Sequence, residues 1–169
     1  MREPIRDRQR LEHMIASIDN ILQFVEGKTE ESLSTEKVLF YAIVKNIEIV
    51  GEAAFKLTKA FCSQHSETPW RAIMKMRHVL VHDYYRIQEH EVWNVIEQDL
   101  RPLRDQVQSY IDTTNWEEWE RNEQAIAESA INKSLIETAK RMKADGLSTI
   151  QISRYTGLTI DEIEVLASV

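Results

Sequence analysis

Three residues between positions 77 and 84 have side chains that could together cleave a phosphodiester bond. They are Arg77, His82 and Tyr84, in the spacing Arg-x4-His-x-Tyr. An arginine stays charged and offers several donors to phosphate oxygens. A histidine titrates near neutral pH and can accept or donate a proton, and a tyrosine hydroxyl can position a phosphate or be modified. These are the groups that a metal-free ribonuclease needs.

Helix geometry limits how these residues can meet. At about 100° per residue, Arg77 and Tyr84 share one face of a straight helix, whereas His82 lies about 140° around from Arg77. One straight helix therefore cannot bring all three together. Either the helix ends or bends near residues 81–83, or the working set combines residues from two protomers.

Each member of the motif also has an ordinary structural interpretation. His82 could be an exposed or helix-capping histidine. Arg77 could form a surface ion pair with Asp83 or Glu52, since such pairs are common and weak. Tyr84 could be a half-buried residue whose ring only packs against neighbouring side chains. These alternatives stay open from the residue types alone.

Four further polar residues are candidates for a supporting role. Glu48 and Glu52 stand on an otherwise apolar helix, where they are either solvated carboxylates or groups that orient Arg77 or His82. His78 and Asp83 lie inside the motif segment, and we assign them secondary rather than catalytic roles.

Net charge restricts how the chain could bind nucleic acid. Its charge of −7 argues against binding by bulk electrostatics, because phosphate neutralisation supplies most non-specific affinity. Residues 71–86 differ, with four cations against one anion and a net charge of +3. Any nucleic-acid site should therefore be local to the motif.

Composition predicts a helical, reduced, cytoplasmic protein. Four glycines and three prolines are too few turn-formers for a many-stranded sheet. Cys62 has no companion cysteine for a disulfide or a zinc site, and the glycines form no phosphate loop, so we predict no metal and no cofactor. No apolar run is long enough to span a membrane, and the N-terminus lacks a signal-peptide core.

Hydrophobic spacing divides the chain into three parts. Four amphipathic patterns predict helices over 8–25, from Thr35 to Phe61, from Pro69 onward, and over 88–111, where Pro102 would kink or split the last. We therefore predict an all-α fold: an up-and-down four-helix bundle (1–115), an acidic connector (116–131) and a small C-terminal helical module (132–169).

Four separated sequence blocks resemble the HEPN superfamily, and most closely its HepT-like branch. They are the segments 46–54 (NIEIVGEAA), 69–70 (PW), 76–84 (MRHVLVHDY), and 92–93 (VW) with 99–100 (DL). The likeness covers roughly residues 8–111, about two-thirds of the chain, and omits the tail. It departs from the commonest form at position 78, where histidine stands in place of the frequent asparagine.

The resemblance implies a homodimer with a cleft for single-stranded RNA. Such enzymes cleave RNA without metal through its own 2′-hydroxyl. They are toxins paired with a minimal nucleotidyltransferase (MNT) antitoxin, which could transfer AMP to Tyr84. The alternative is a non-catalytic HEPN module that partners a nucleotidyltransferase. The presence of Arg77, His82 and Tyr84 favours the enzyme over the non-catalytic module, because catalytically inactive members of the superfamily often lack the arginine or the histidine.

The tail over 132–169 is similar to small helix-turn-helix modules. Its recognition helix would begin near Thr159 and holds Asp161, Glu162 and Glu164 without a lysine or arginine. Such a helix lacks the basic side chains that usually contact phosphate or guanine. We therefore favour a protein-contact or dimer-stabilising role over DNA binding or transcriptional regulation.

Overall fold

Every regular element of the described chain is helical. The computed structural model describes residues 6–82 and 87–166, the side chains of Val81 and His82 excepted. The all-α class predicted from composition is confirmed. In chain order the elements are α1 (Asp7–Phe24), α2 (Glu30–Thr35), α3 (Lys37–Phe55), α4 (Lys59–Gln64), α5 (Trp70–His82), α6 (Glu89–Asn94), a π-helical segment (Val95–Leu100), α7 (Arg101–Thr113), α8 (Trp116–Ala144), α9 (Thr149–Thr156) and α10 (Ile160–Val165).

The chain divides into two compact units. The first ends at Trp116 and the second begins at Glu117. Helix α8 is continuous over Trp116–Ala144, so one helix runs through both the segment predicted as a connector and the start of the tail. The division at 131/132 stays a prediction. Within the described ranges, no helix combines the length and the apolar character needed to cross a bilayer.

The first unit is built around α3, which packs between α1 and α5, while α1 also packs on α7. Apolar residues at helical spacing produce this arrangement, since each helix must bury one stripe against a neighbour. The fully buried side chains of α1 and α3 include Leu11, Met14, Ile18, Ile21 and Ile43.

A local polar network ends α3 earlier than the hydrophobic spacing predicts. The pattern continues to Phe61, but α3 stops at Phe55 and α4 begins at Lys59. The Thr58 hydroxyl caps α4 by accepting from the Phe61 amide at 3.1 Å. Buried Asp7 accepts from the Thr58 amide (2.8 Å) and hydroxyl (2.6 Å). These bonds hold Thr58 in an extended conformation, which breaks the helix.

The fourth predicted helix changes type next to Pro102, where the sequence predicts a kink or a split, but it stays helical from Glu89 to Thr113. The π-helical segment Val95–Leu100 lies immediately before it, and Pro102 occupies the first turn of α7. Proline has no amide proton and its ring clashes with the preceding turn. A wider π turn at this point lets the chain remain helical.

The first unit also contains an aromatic cluster centred on Phe61. Phe61 packs against the rings of His65, Trp70, Tyr110 and Trp116, with centroids 4.4–6.1 Å apart. The Tyr110 hydroxyl donates to Glu67 at 2.7 Å and lies 2.7 Å from the Thr68 hydroxyl. Burial, assisted by the Glu67 carboxylate, raises the pKa of Tyr110 to about 12.

This shift predicts a loss of stability in alkali. The folded state holds the Tyr110 proton up to about pH 12, whereas the unfolded chain releases it near pH 10. Tyr110 stabilises the fold fully below about pH 10, and this contribution is lost as the pH rises towards 12. We expect urea unfolding of Tyr110→Phe to show a weaker fall in unfolding free energy over that range than the parent. Equal falls would contradict the assignment.

The second unit folds around its own small core. Ala139, Ile152, Leu158 and Ile163 are buried together. Gly146 and Gly157 adopt positive φ after α8 and α9, the conformation that glycine commonly supplies at the end of a helix. Ser148 and Thr159 cap α9 and α10, and the Lys143 ammonium donates to three carbonyls at the end of α10.

Candidate active site

A close approach of α3 and α5 positions Arg77. Gly51 lies against α5, and a Cβ atom placed on Gly51 would be 2.5 Å from the Arg77 Cβ and 3.2 Å from the Ile73 carbonyl oxygen. No residue larger than glycine fits there without displacing α5. Because Gly51 has no side chain, the Cβ atom of Arg77 packs directly against α3.

The Arg77 side chain is held by two residues on the last turns of α3. Its Nε pairs with the Glu52 Oε2, and both atoms are shielded from solvent. The guanidinium carbon lies 5.4 Å from the centre of the Phe55 ring, within the range of a cation–π contact. The second oxygen of Glu52 is 3.4 Å from the Lys56 ammonium. Arg77 is thus oriented while 30% of its side chain stays exposed.

Phe55 is the member of this group that the sequence interpretation missed. Its ring is 60% exposed, so it does not belong to the buried stripe of α3. The available signal was its spacing, because Phe55 follows Glu52 by three residues and therefore shares its face. An exposed aromatic residue beside an arginine also suits the stacking of an unpaired base.

The outer face of α5 is basic. Arg71, Lys75 and His78 are exposed and recur at the spacing of one helix face. Position 82 continues the same register, four residues after His78. Of the charges counted for this segment, Arg71 and Lys75 thus lie on one exposed helix face, whereas Asp83 and Arg86 lie outside the described residues.

Both main motif positions, 77 and 82, belong to α5. The helix runs from Trp70 to His82, so these residues are five positions apart on one element. At about 100° per residue these two positions lie about 140° apart around the helix axis. The side chain of His82, and Asp83 and Tyr84 entirely, lie outside the described residues, so their predicted roles stay predictions.

Glu48 and Glu52, for which the sequence predicts the same role, have different ion-pair partners in the structure. Glu52 contacts Arg77, as described above. Glu48, one turn earlier on α3, forms an ion pair with Lys45 at 3.0 Å. Glu52 can therefore orient Arg77 directly, whereas Glu48 pairs with Lys45. His78 is exposed next to Arg77.

An apolar cavity of about 240 Å³ lies between residues of α3, α5 and the segment 95–106. Its lining is mostly aliphatic, so it offers little chemistry for phosphate. The lining residues are Ile47, Val50, Pro69, Ala72, Ile73, Met76, Val95, Gln98, Asp99, Leu100, Pro102, Leu103 and Gln106.

A helical bundle that carries Arg77, paired with Glu52, and a histidine five positions later on the same helix is the arrangement that the HEPN resemblance predicts. The family described as ribonuclease HepT-like matches residues 14–110, more than half of the chain. The chain therefore belongs to the ribonuclease HepT-like family, a family of RNA-cleaving enzymes.

Individual relatives agree with this membership. A protein of Caldanaerobacter subterraneus subsp. tengcongensis named as a putative RNase is 33% identical over 101 residues, covering 60% of this chain and 90% of that protein. One of Thermococcus cleftensis, named probable ribonuclease HepT, is 29% identical over 94 residues, covering 56% and 86%. No solved structure matches the chain.

Proposed function

We propose that this protein is a metal-independent endoribonuclease that uses Arg77 and His82 in a dimer cleft. The observation that carries the proposal is the orientation of Arg77 by Glu52 and Phe55, on the same helix as His82. The ion pair with Glu52 alone would fit an ordinary surface arginine; the added Phe55 contact, with 30% of the Arg77 side chain still exposed, favours a functional role. The exposed Arg71 and Lys75 on α5 would guide the RNA backbone towards it.

The chemistry follows from these two groups. The 2′-hydroxyl of the RNA attacks the adjacent phosphorus atom, and an imidazole accepts its proton. Arg77 stabilises the negative charge that grows on the phosphorane oxygens. The bond to the 5′-oxygen then breaks as that oxygen receives a proton from an imidazolium, so no net proton is gained or lost. The products carry a 2′,3′-cyclic phosphate and a 5′-hydroxyl.

Two protomers would complete the site. Arg77 and His82 project about 140° apart from a single helix, so one copy presents them in different directions. A twofold arrangement with facing α5 helices would bring Arg77 of one copy towards His82 of the other. This geometry supports the homodimer that the family likeness implies.

Regulation would come from a minimal nucleotidyltransferase acting as antitoxin. Transfer of AMP from ATP to the Tyr84 hydroxyl, with release of pyrophosphate and of the hydroxyl proton, would add a bulky anion two residues from His82. Its negative charge would compete with the RNA phosphate for Arg77. The protein would then act as the toxin of the pair, with RNA as substrate and the nucleotidyltransferase as partner.

The test uses purified protein and two matched RNA oligonucleotides in EDTA. One is all-ribose, and the other carries a 2′-deoxy sugar at the cleaved position. We expect cleavage of the first to 2′,3′-cyclic phosphate ends and no cleavage of the second at that site. Cleavage of both would contradict attack by the 2′-hydroxyl. If folded protein bound the all-ribose RNA without cutting it, the non-catalytic HEPN module would be the better description.

Glu52 provides a prediction that separates orientation from stability. The pair is partly exposed, so we expect Glu52→Gln to change the unfolding free energy by no more than about 1 kcal/mol. Cleavage should fall about tenfold, because the arginine loses the carboxylate that fixes its direction. Glu12→Gln, which breaks the surface pair with Arg8, is the control and should retain full activity. Equal cleavage rates for Glu52→Gln and Glu12→Gln would show that Glu52 has no role in the site.

A further inference from the structure

Helix α8 carries an apolar face that the described residues leave open. Ile126 is 63% exposed and Ile131 is 44% exposed, and Ala130 is also exposed. With the half-buried Ala127, these residues fall within about 140° of the helix circumference. Such a face on a helix of 29 residues is typical of a surface that packs against another helix. It lies outside residues 14–110, the part that matches the family.

Charge is segregated along the same helix. Residues 117–129 hold five glutamates and one arginine, a net charge of −4. Residues 130–144 hold four lysines or arginines and one glutamate, a net charge of +3. Because Lys143 binds carbonyls at the end of α10, a net charge of +2 is left for a partner. A second copy of α8 in antiparallel orientation would place each acidic half against a half of net positive charge, although Glu120 would lie opposite Glu137 of the second copy. A parallel copy would place like charges together, which is unfavourable.

The apolar residues have a matching symmetry. Around the bond between Glu128 and Ser129, antiparallel pairing puts Ile126 opposite Ile131 of the second copy. The same pairing puts Ala127 opposite Ala130 of the second copy. A twofold interface must be self-complementary in this way. Alanine at both inner positions lets the two helix axes approach to about 8 Å.

We propose that α8 is a self-association surface, which packs antiparallel against α8 of a second copy of this chain. The charge pattern selects the occupant, because α8 supplies both the acidic and the basic partner that it requires. This contact is separate from the proposed catalytic cleft and does not depend on RNA cleavage.

Directed disulfide formation tests the pairing and its direction. Two full-length variants in a Cys62→Ser background carry Ala127→Cys or Ala130→Cys, and one has a size tag. After mixing and mild oxidation, we expect the mixed disulfide to exceed either homodisulfide at least fivefold. Predominant homodisulfides would indicate parallel pairing and overturn the proposal. Absence of any crosslink would show that a second copy does not occupy this face.

A second pair of variants tests the apolar contact. Ile126→Glu, added to both cysteine variants, should abolish the mixed disulfide, because it places a carboxylate opposite Ile131 of the second copy. The control is Ile150→Glu on α9, where the native side chain is 70% exposed and lies off this face. It should leave the crosslink unchanged. An equal yield for the two glutamate variants would overturn the proposal, provided that circular dichroism shows both to be folded.

Discussion

Replacing His82 with alanine should reduce RNA cleavage by about 100- to 10,000-fold, the usual contribution of a general acid or base. Arg77→Ala should cause a comparable loss, because the phosphorane then lacks its positive partner. Arg77→Lys should recover little, since an ammonium is a point charge and cannot reproduce the planar fork beside Phe55. The measurement is kcat/KM on a labelled RNA oligonucleotide, with thermal unfolding to confirm that each variant is folded.

Mixing the two inactive variants would show whether the site spans two copies. In a composite site, a dimer of Arg77→Ala with His82→Ala contains one fully native pair and one doubly altered pair. After subunit exchange at equal amounts, we expect about one quarter of parent activity, because half of the dimers are mixed and each keeps one of two sites. Activity that stays at the level of the single variants would place both residues in one protomer.

Gly51→Ala should both destabilise the protein and impair cleavage. Glycine to alanine inside a helix ordinarily stabilises by about 1 kcal/mol, because alanine loses less backbone entropy. Here the new Cβ would meet the Arg77 Cβ at 2.5 Å and the Ile73 carbonyl at 3.2 Å. We expect a net loss of about 1–3 kcal/mol in unfolding free energy, as for other overpacked helix contacts. Displacement of α5 would also move Arg77 away from Glu52, so the cleavage rate should fall at least tenfold.

The sign of the stability change makes this prediction decisive. Val38→Ala, at an 86% exposed position of the same helix, is the control and should change stability by less than about 0.5 kcal/mol. Denaturant unfolding monitored by circular dichroism measures both variants. A more stable Gly51→Ala protein with normal activity would show that α3 and α5 can separate without cost, and would remove the close approach as the reason for the position of Arg77.

Much of the helical architecture could be predicted because its signals are local. The apolar stripe of α1 and the capping residues Ser148 and Thr159 act within one or two turns of the chain. Pro102 also acts on its own helix. By contrast, the break between α3 and α4 depends on Asp7, which lies 51 residues from Thr58 in sequence. Periodicity carries no information about such a partner.

The sequence by itself determined the all-α class, the family and the presence of Arg77 and His82 five residues apart, because residue type and helical spacing are local properties. Tertiary structure decided that Gly51 faces Arg77, that Glu52 rather than Glu48 pairs with it, and that Phe55 supports its guanidinium. These contacts join residues more than twenty positions apart on two helices. Their existence depends on how closely those helices pack, which is a property of the whole core and not of either segment.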